Sequence, residues 1–513
     1  RVPFAEEGRV VTGRALAEVA EGDVLGVQVL APDAPDVPLL VRPGDAPGWL
    51  ALTADPAPLL GLPARHRDPD AAGPEDDGDL LARRDAGVLA QVQEHYYTGA
   101  VRPPRIERGW RHHLATTDGR VLLDVVNNVA AVGHAHPRVA AAAARQLARL
   151  NTNSRFHYAG VVELSERIAA LLPEPLDTVF LVNSGSEAVD LAIRLAHVAT
   201  RRCDTVAVRE AYHGWTYASD AVSTSVADNP AALQTRPAWV HTVEAPNTYR
   251  GPHRTARGDD VGRYARDAVA AVDELAARGR PPAAFVAEAF YGNAGGMPLP
   301  PGYLREVYAA VRRHGGLAVA DEVQVGYGRL GSTLWGFEQQ GVVPDVVAVA
   351  KSVGNGHPVG AVVTTRATAA RYRDAGYFFA STGGSPVSCA VALAVLDVLH
   401  DEGLQENARV VGAHLEAGLL GLAERHPLVG AVHGEGLYLG LELVRDRATL
   451  EPAREETAVL CDRMLDLGVV VQPTSDRQNV LKIKPPLCLD AGAADFFVGA
   501  LDRALGEVHQ PVR

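Results

Sequence analysis

The run TVFLV (178–182) passes through Asn183-Ser184-Gly185-Ser186-Glu187 into SEAVDLAIRLAHVAT (186–200). A short apolar run of this kind reads as a buried strand. Ala188, Leu191, Ala192, Leu195 and Val198 then share one helical stripe. Strand, glycine turn and helix in that order form the repeating unit of a parallel sheet. Further buried-strand candidates are TVAV (205–208), AAFVAE (283–288), LAVAD (317–321), VVAVA (346–350) and GAVVTT (360–365), alternating with helical stretches. The pattern predicts an α/β domain with a large, mainly parallel sheet. After residue 390, longer amphipathic helices and the β-like VLKIKPPL (480–487) predict a smaller C-terminal α+β domain.

Residues 1–65 alternate short apolar runs with Gly, Pro and Asp, as a small β-rich accessory module would. Residues 66–80 have the composition of a linker. The expected divisions beyond it are 81–150, a segment packing with the small domain, 151–385, the large domain, and 386–513, the small domain. A chain of 513 residues suits two or three domains. Its formal charge of −13 argues against a nucleic-acid binder, which needs a basic face. No run approaches the roughly 18 apolar residues of a membrane span, and RVPFAEEGRVV lacks the apolar core of a signal peptide. Cys203, Cys389, Cys461 and Cys488 lack paired or metal-ligand spacing, so a reducing, cytoplasmic setting without a metal site is expected.

The chain has 49 basic residues, of which only Lys351, Lys482 and Lys484 are lysines. Composition bias toward arginine accounts for the rarity; chemistry can account for the survivors. Lys351 directly follows VVAVA, and Asp321 ends LAVAD, at the strand ends where α/β sheets bind ligands. A buried amine sheds its charge and condenses with carbonyls, which a guanidinium cannot do. A carboxylate opposite a pyridinium nitrogen is the other half of pyridoxal phosphate chemistry. On these two residues alone, a structural Asp–Lys ion pair stays open. Gly185, at a helix start, would let backbone N–H groups approach an anion, although a bare helix cap fits the same residues.

NSGSEAVDLAIRLA, EAYHG, ADEVQVGYGRLG, PDVVAVAKSVGNGHPVGAVV and GGSPVSCA together resemble the successive motifs of class III aminotransferases, over roughly residues 80–505. The resemblance implies a fold-type I enzyme dependent on pyridoxal 5′-phosphate. LDVVNNVAAVGHAHP, LNTNSRF, NTYRG, GNGHPV and NVLKIKPPL are similar to the ethanolamine-phosphate and hydroxylysine-phosphate phospho-lyases of that class. By this resemblance Lys351 forms the Schiff base and shuttles protons, and Asp321 keeps the pyridine nitrogen protonated. Ser184, Gly185 and Ser186 serve the cofactor phosphate. Tyr212 stacks on one ring face beside His213, and Val323 packs on the other. Gln324 bonds the 3′-oxygen, and Glu288 lies near the cofactor.

The resemblance also implies a homodimer with active sites at the subunit interface, Ser381 and Thr382 lying in the stretch that reaches the partner's cofactor phosphate. Thr382 stands where the family has an aromatic, Ser385 where it has asparagine, and Trp215 where the subgroup has histidine. The Trp215 indole is expected either to pack or to form a substrate wall. Asn128, Arg155, Trp215 and Lys482 are the substrate-binding candidates. Lys482 replaces an arginine that clamps substrate carboxylates in many aminotransferases, and a lysine offers a point charge rather than a planar fork. Lys484 is expected to be structural or rim-exposed. WLALTADPAPLLGLP (49–63) resembles the join between a peptidase-like domain and the phospho-lyase in larger bacterial fusions. Without an H-x-x-x-D metal set or a kinase motif it implies an accessory module.

The activity implied is that of an enzyme acting on a small amine or amino acid through an imine and a carbanion. Phosphate elimination is the leading outcome, with a subsite for substrate phosphate or free phosphate. Amino transfer to a keto acid is one alternative. The other is decarboxylation or reaction with oxygen in biosynthetic tailoring, motivated by Thr382, Ser385 and Trp215.

Overall fold

The computed structural model describes residues 103–508 continuously. It also describes the helix Asp77–Gly87 and five short strands, Val2–Glu6, Arg9–Gly13, Val24–Gln28, Leu40–Pro43 and Leu50–Ala51. The five strands pair as a hairpin and a three-stranded sheet within the stretch expected to be β-rich. Residues 66–76 of the expected linker lie outside the described residues.

The large sheet has seven strands: β1 (Leu176–Val182), β2 (Thr205–Val208), β3 (Val240–Val243), β4 (Ala284–Glu288), β5 (Leu317–Asp321), β6 (Val346–Val349) and β7 (Gly360–Thr365). Their order is β3-β2-β4-β5-β6-β7-β1. The first five pair in parallel, whereas β7 runs antiparallel to both β6 and β1. Both faces are buried, as a parallel sheet requires, and the side chains divide by simple alternation. Val319, Val346, Ala348 and Val362 meet helix α1 (Gly185–Thr200) on one face. Ala318, Ala320, Val347, Val349, Ala361 and Val363 join the main core on the other. Because α1 also packs against α2 (Arg366–Ala375), its buried surface exceeds the expected stripe and includes Val189, Ile193 and Ala196.

The C-terminal unit is built on an antiparallel sheet of β8 (Val429–Glu435), β9 (Tyr438–Asp446), β10 (Gln472–Thr474) and β11 (Val480–Ile483), in the order β8-β9-β11-β10. Helices Leu404–Arg425, Arg454–Asp466 and Ala491–Val508 accompany it. Residues 106–124 form three strands, and Val469–Val470 adds to them in parallel through Val121–Asp124. This pairing ties the segment before the large domain to the C-terminal unit. Among the described residues no helix is long and apolar enough to cross a membrane.

Candidate active site

Strand register alone gathers the first group. Glu288 and Asp321 are paired residues at the ends of β4 and β5. Asp321 in turn pairs with Ala348 on β6, three residues before Lys351. Lys351 begins a 3-10 turn with φ of 42°. A non-glycine residue held in the left-handed region costs about 1–2 kcal/mol, and such strain is tolerated where surrounding structure enforces it.

Asp321 is 3% exposed, and both its oxygens are engaged. Oδ1 accepts from the Val323 backbone N–H at 3.0 Å, and Oδ2 lies 2.7 Å from His213 Nδ1. The buried Nε2 of His213 has no hydrogen-bond partner. Glu288 is also buried. Its Oε2 accepts from the backbone N–H groups of Gly292 and Asn293, while Oε1 is unpartnered. Burial, reinforced by Asp321, raises the Glu288 pKa. Glu322, beside Asp321 in sequence, caps a different turn: its carboxyl accepts from Gly336 and Phe337 N–H, and burial pushes it up to about 8.

Gln324 Oε1 receives two donors, Asn128 Nδ2 at 2.6 Å and Lys484 Nζ at 2.8 Å. Lys484 is 1% exposed, with its ammonium nitrogen 4.8 Å from the centre of the Tyr438 ring. It is therefore not rim-exposed, which corrects that half of the expectation and leaves a structural role beside the site. The signal was available: side chains two apart along an extended strand share a face, so placing Lys482 in the site places Lys484 there too.

All three lysines of the chain thus converge. Burial, with the neighbouring Lys482 charge next in weight, lowers the Lys351 amine to about 8, against the opposing pull of Asp321 and Glu288. Lys482, only partly buried, is lowered chiefly by burial. Lys484 falls well below the ordinary lysine value, through burial and then through Lys482 and Lys351. An amine that ionises near neutrality can exist as a nucleophile there, which an ordinary lysine cannot.

At the start of α1 the roles divide. Ser184 is the N-cap, its hydroxyl accepting from Glu187 N–H at 3.1 Å, so that oxygen is already used by the helix. Gly185 lies against Val323: a Cβ there would stand 3.0 Å from Val323 Cγ1. Ser186 is buried, and its Oγ accepts from Trp215 N–H at 3.2 Å. Tyr212 is partly buried beside His213. Trp215 is 76% exposed and, with Tyr217 and Arg236, lines a separate 370 Å³ hollow. On this chain its indole is therefore not packed in the core.

Three further candidates sit at the surface. Ser381 and Thr382 are exposed, and the Arg155 guanidinium lies over the Phe379 ring at 5.0 Å. Ser385, by contrast, is buried and caps helix Pro386–Asp401, accepting from Ser388 N–H. Asparagine and serine are both strong N-caps, so this departure from the family preserves a capping role.

The donor set fits pyridoxal phosphate. A low-pKa amine, a carboxylate oriented from behind by His213 and a helix N-terminus converge on the carboxyl edge of the sheet, and buried polar atoms on His213 and Glu288 await partners. Lys351 would hold the aldehyde carbon, Asp321 the ring nitrogen and Gln324 the ring oxygen, with the start of α1 at the phosphate.

Known proteins resemble this chain over most of its length. The model of the family described as aminotransferase class-III matches residues 99–505. A Drosophila melanogaster protein named alanine–glyoxylate aminotransferase 2-like is 41% identical over 414 residues, 80% of this chain and 83% of that protein. A Caenorhabditis elegans protein named ethanolamine-phosphate phospho-lyase homolog 1 is 35% identical, over 83% of this chain and 93% of its own. Among solved structures, a phospholyase from Arthrobacter in complex with phosphoethanolamine superposes with a TM-score of 0.77 at 34% identity, covering 84% of this chain and all of that one. An (S)-enantioselective omega-transaminase from Thermomicrobium roseum gives 0.75 at 30%, covering 85% of this chain and all of that one. The chain belongs to the class III aminotransferase family, whose fold-type I members are pyridoxal phosphate-dependent enzymes.

Proposed function

We propose that this enzyme eliminates phosphate from a small aminoalkyl phosphate. The observation that carries the reading is Lys482, a partly exposed cation close enough to Lys351 to depress it, standing where a planar arginine clamp would serve a carboxylate. A point charge suits the compact, strongly charged phosphate. The phospho-lyase names of two relatives support the same outcome.

Pyridoxal phosphate, when bound, supplies an aldehyde for the substrate amine and a ring that accepts an electron pair. The chain's own residues do the rest. Lys351, which would hold the cofactor's aldehyde at rest, would serve as the base that takes the proton from the substrate carbon bearing nitrogen. Asp321, fixed by His213 and the Val323 N–H, favours a protonated ring nitrogen and so makes that proton easier to remove. Cleavage of the C–O bond on the next carbon releases inorganic phosphate beside Lys482. Hydrolysis of the remaining carbon–nitrogen bond consumes water and yields ammonia and a carbonyl product.

The active unit in this reading is a homodimer. Leu147, Leu150, Phe156, Tyr377 and Phe379 are exposed large apolar residues; Phe156 adjoins Arg155, and Tyr377 and Phe379 lie within four residues of Ser381. A second subunit over this face would bring Ser381, Thr382 and Arg155 to its own site.

The deciding experiment incubates the loaded enzyme with phosphoethanolamine and measures inorganic phosphate and ammonia, and separately offers pyruvate or 2-oxoglutarate as amine acceptor. Equimolar phosphate and ammonia are expected. Amine transfer to the keto acid without phosphate release would overturn the proposal.

A further inference from the structure

We propose that Lys484 is a positioning residue that, together with Asn128, locks the Gln324 amide with its NH₂ turned toward the cofactor's ring oxygen. The inference rests on the cofactor reading given above. It begins with the amide itself. Gln324 is 8% exposed and lies three residues beyond Asp321, on the loop leaving β5. A terminal amide has a broad, roughly two-fold torsion, so its orientation must come from its neighbours. Asn128 Nδ2 and Lys484 Nζ both donate to Oε1, using the two acceptor sites of that oxygen. The NH₂ group is thereby directed away from both.

The position demands lysine specifically. Lys351, Lys482 and Arg329 surround Lys484, with Glu288 the nearby counter-charge. A permanent cation at this position would have Glu288 as its nearby counter-charge against three basic neighbours, and burying a poorly compensated charge costs several kcal/mol. Lysine can shed that charge, burial lowering its pKa, and its amine donates to Gln324 in either state. Arginine stays charged. In a chain that uses arginine at all other basic positions outside this site, that difference explains the residue. The face of the Tyr438 ring closes the other side of the amine, so the side chain is held in place without a carboxylate to hold it.

The test is a double-mutant cycle on cofactor affinity, read by absorbance titration of cofactor-free protein. Lys484→Met, close in length but unable to donate, is expected to weaken pyridoxal phosphate binding about tenfold, as loss of one buried hydrogen bond with its partner left unpaired would. In a Gln324→Leu background the same change is expected to alter affinity less than about twofold, because there is no amide left to orient. Lys484→Gln, which retains a donor, should stay within about threefold of wild type. Thermal melts of the cofactor-free proteins separate loss of fold from loss of orientation. Independent, multiplicative effects in the double variant would overturn the proposal, as would equal losses for Lys484→Met and Lys484→Gln. Failure of the wild-type protein itself to capture the cofactor would instead overturn the cofactor reading, and the proposal with it.

Discussion

Replacing Lys482 by methionine should make Lys351 harder to deprotonate. Capture of the cofactor aldehyde needs the neutral amine, so the capture rate of cofactor-free enzyme rises with pH through the Lys351 pKa and levels off above it. That midpoint stands at about 8, and the Lys482 charge is the largest contribution after burial. At an effective dielectric of about 20, charges held within one site repel by on the order of 1.4 kcal/mol, which is about one pH unit. Burial lowers Lys482 as well, so about one unit is the upper end of the expected displacement. Removing the repulsion raises the midpoint; below it, the variant should capture cofactor up to about tenfold more slowly than wild type. The assay is stopped-flow absorbance on mixing with pyridoxal phosphate across the pH range, with Lys482→Arg as the charge-preserving control. Weaker attraction of the cofactor phosphate would scale every rate without moving the midpoint. A midpoint that stays put or falls in Lys482→Met would refute the electrostatic account.

Lys351→Ala should abolish covalent attachment: after borohydride treatment, mass mapping should find the reduced cofactor adduct in wild type at Lys351 and none in the variant. Ser184→Ala should lower stability by about 1 kcal/mol through loss of the α1 cap, seen as a fall in the cofactor-free melting temperature; an unchanged melt would count against the capping role. Gly292→Ala should be far more costly, since its Cβ would stand 1.8 Å from the Tyr438 hydroxyl; a loss of about 1–3 kcal/mol is expected, partly restored by Tyr438→Phe. Arg250 joins Glu210 in the large domain to Glu442 on β9, both at 2.9 Å and largely out of solvent. Arg250→Met should therefore destabilise by about 1–3 kcal/mol in chemical denaturation, because it leaves the buried Glu442 without its guanidinium partner and with His433 alone opposite Oε2.

The large domain was legible in the sequence because its strands are continuous Val/Ala runs, which only a doubly covered sheet can accommodate. Lys351 and Asp321 were legible for the same reason: charged residues at the ends of such runs have few bland explanations. Lys484 is not evident from reading VLKIKPPL as β-like unless the two faces of the strand are also assigned, which puts Lys482 and Lys484 side by side. Ser184 shows how one residue can suit two roles. A hydroxyl beside a glycine at a helix start suits anion binding and helix capping equally, and only coordinates reveal which hydrogen bond it makes. Trp215, Ser381, Thr382 and Arg155 lie at the surface of one chain, where intrachain periodicity carries no information about a neighbouring subunit.

The convergence of all three lysines has a practical side. Within these 513 residues every ε-amine belongs to one site, so the remaining surface offers nothing to reagents or modifying enzymes that act on lysine. Beyond an α-amino terminus, an amine-directed label on this chain would report access to the lysine cluster rather than general surface exposure. Coupling chemistry meant to immobilise or cross-link the protein through lysine would silence it first.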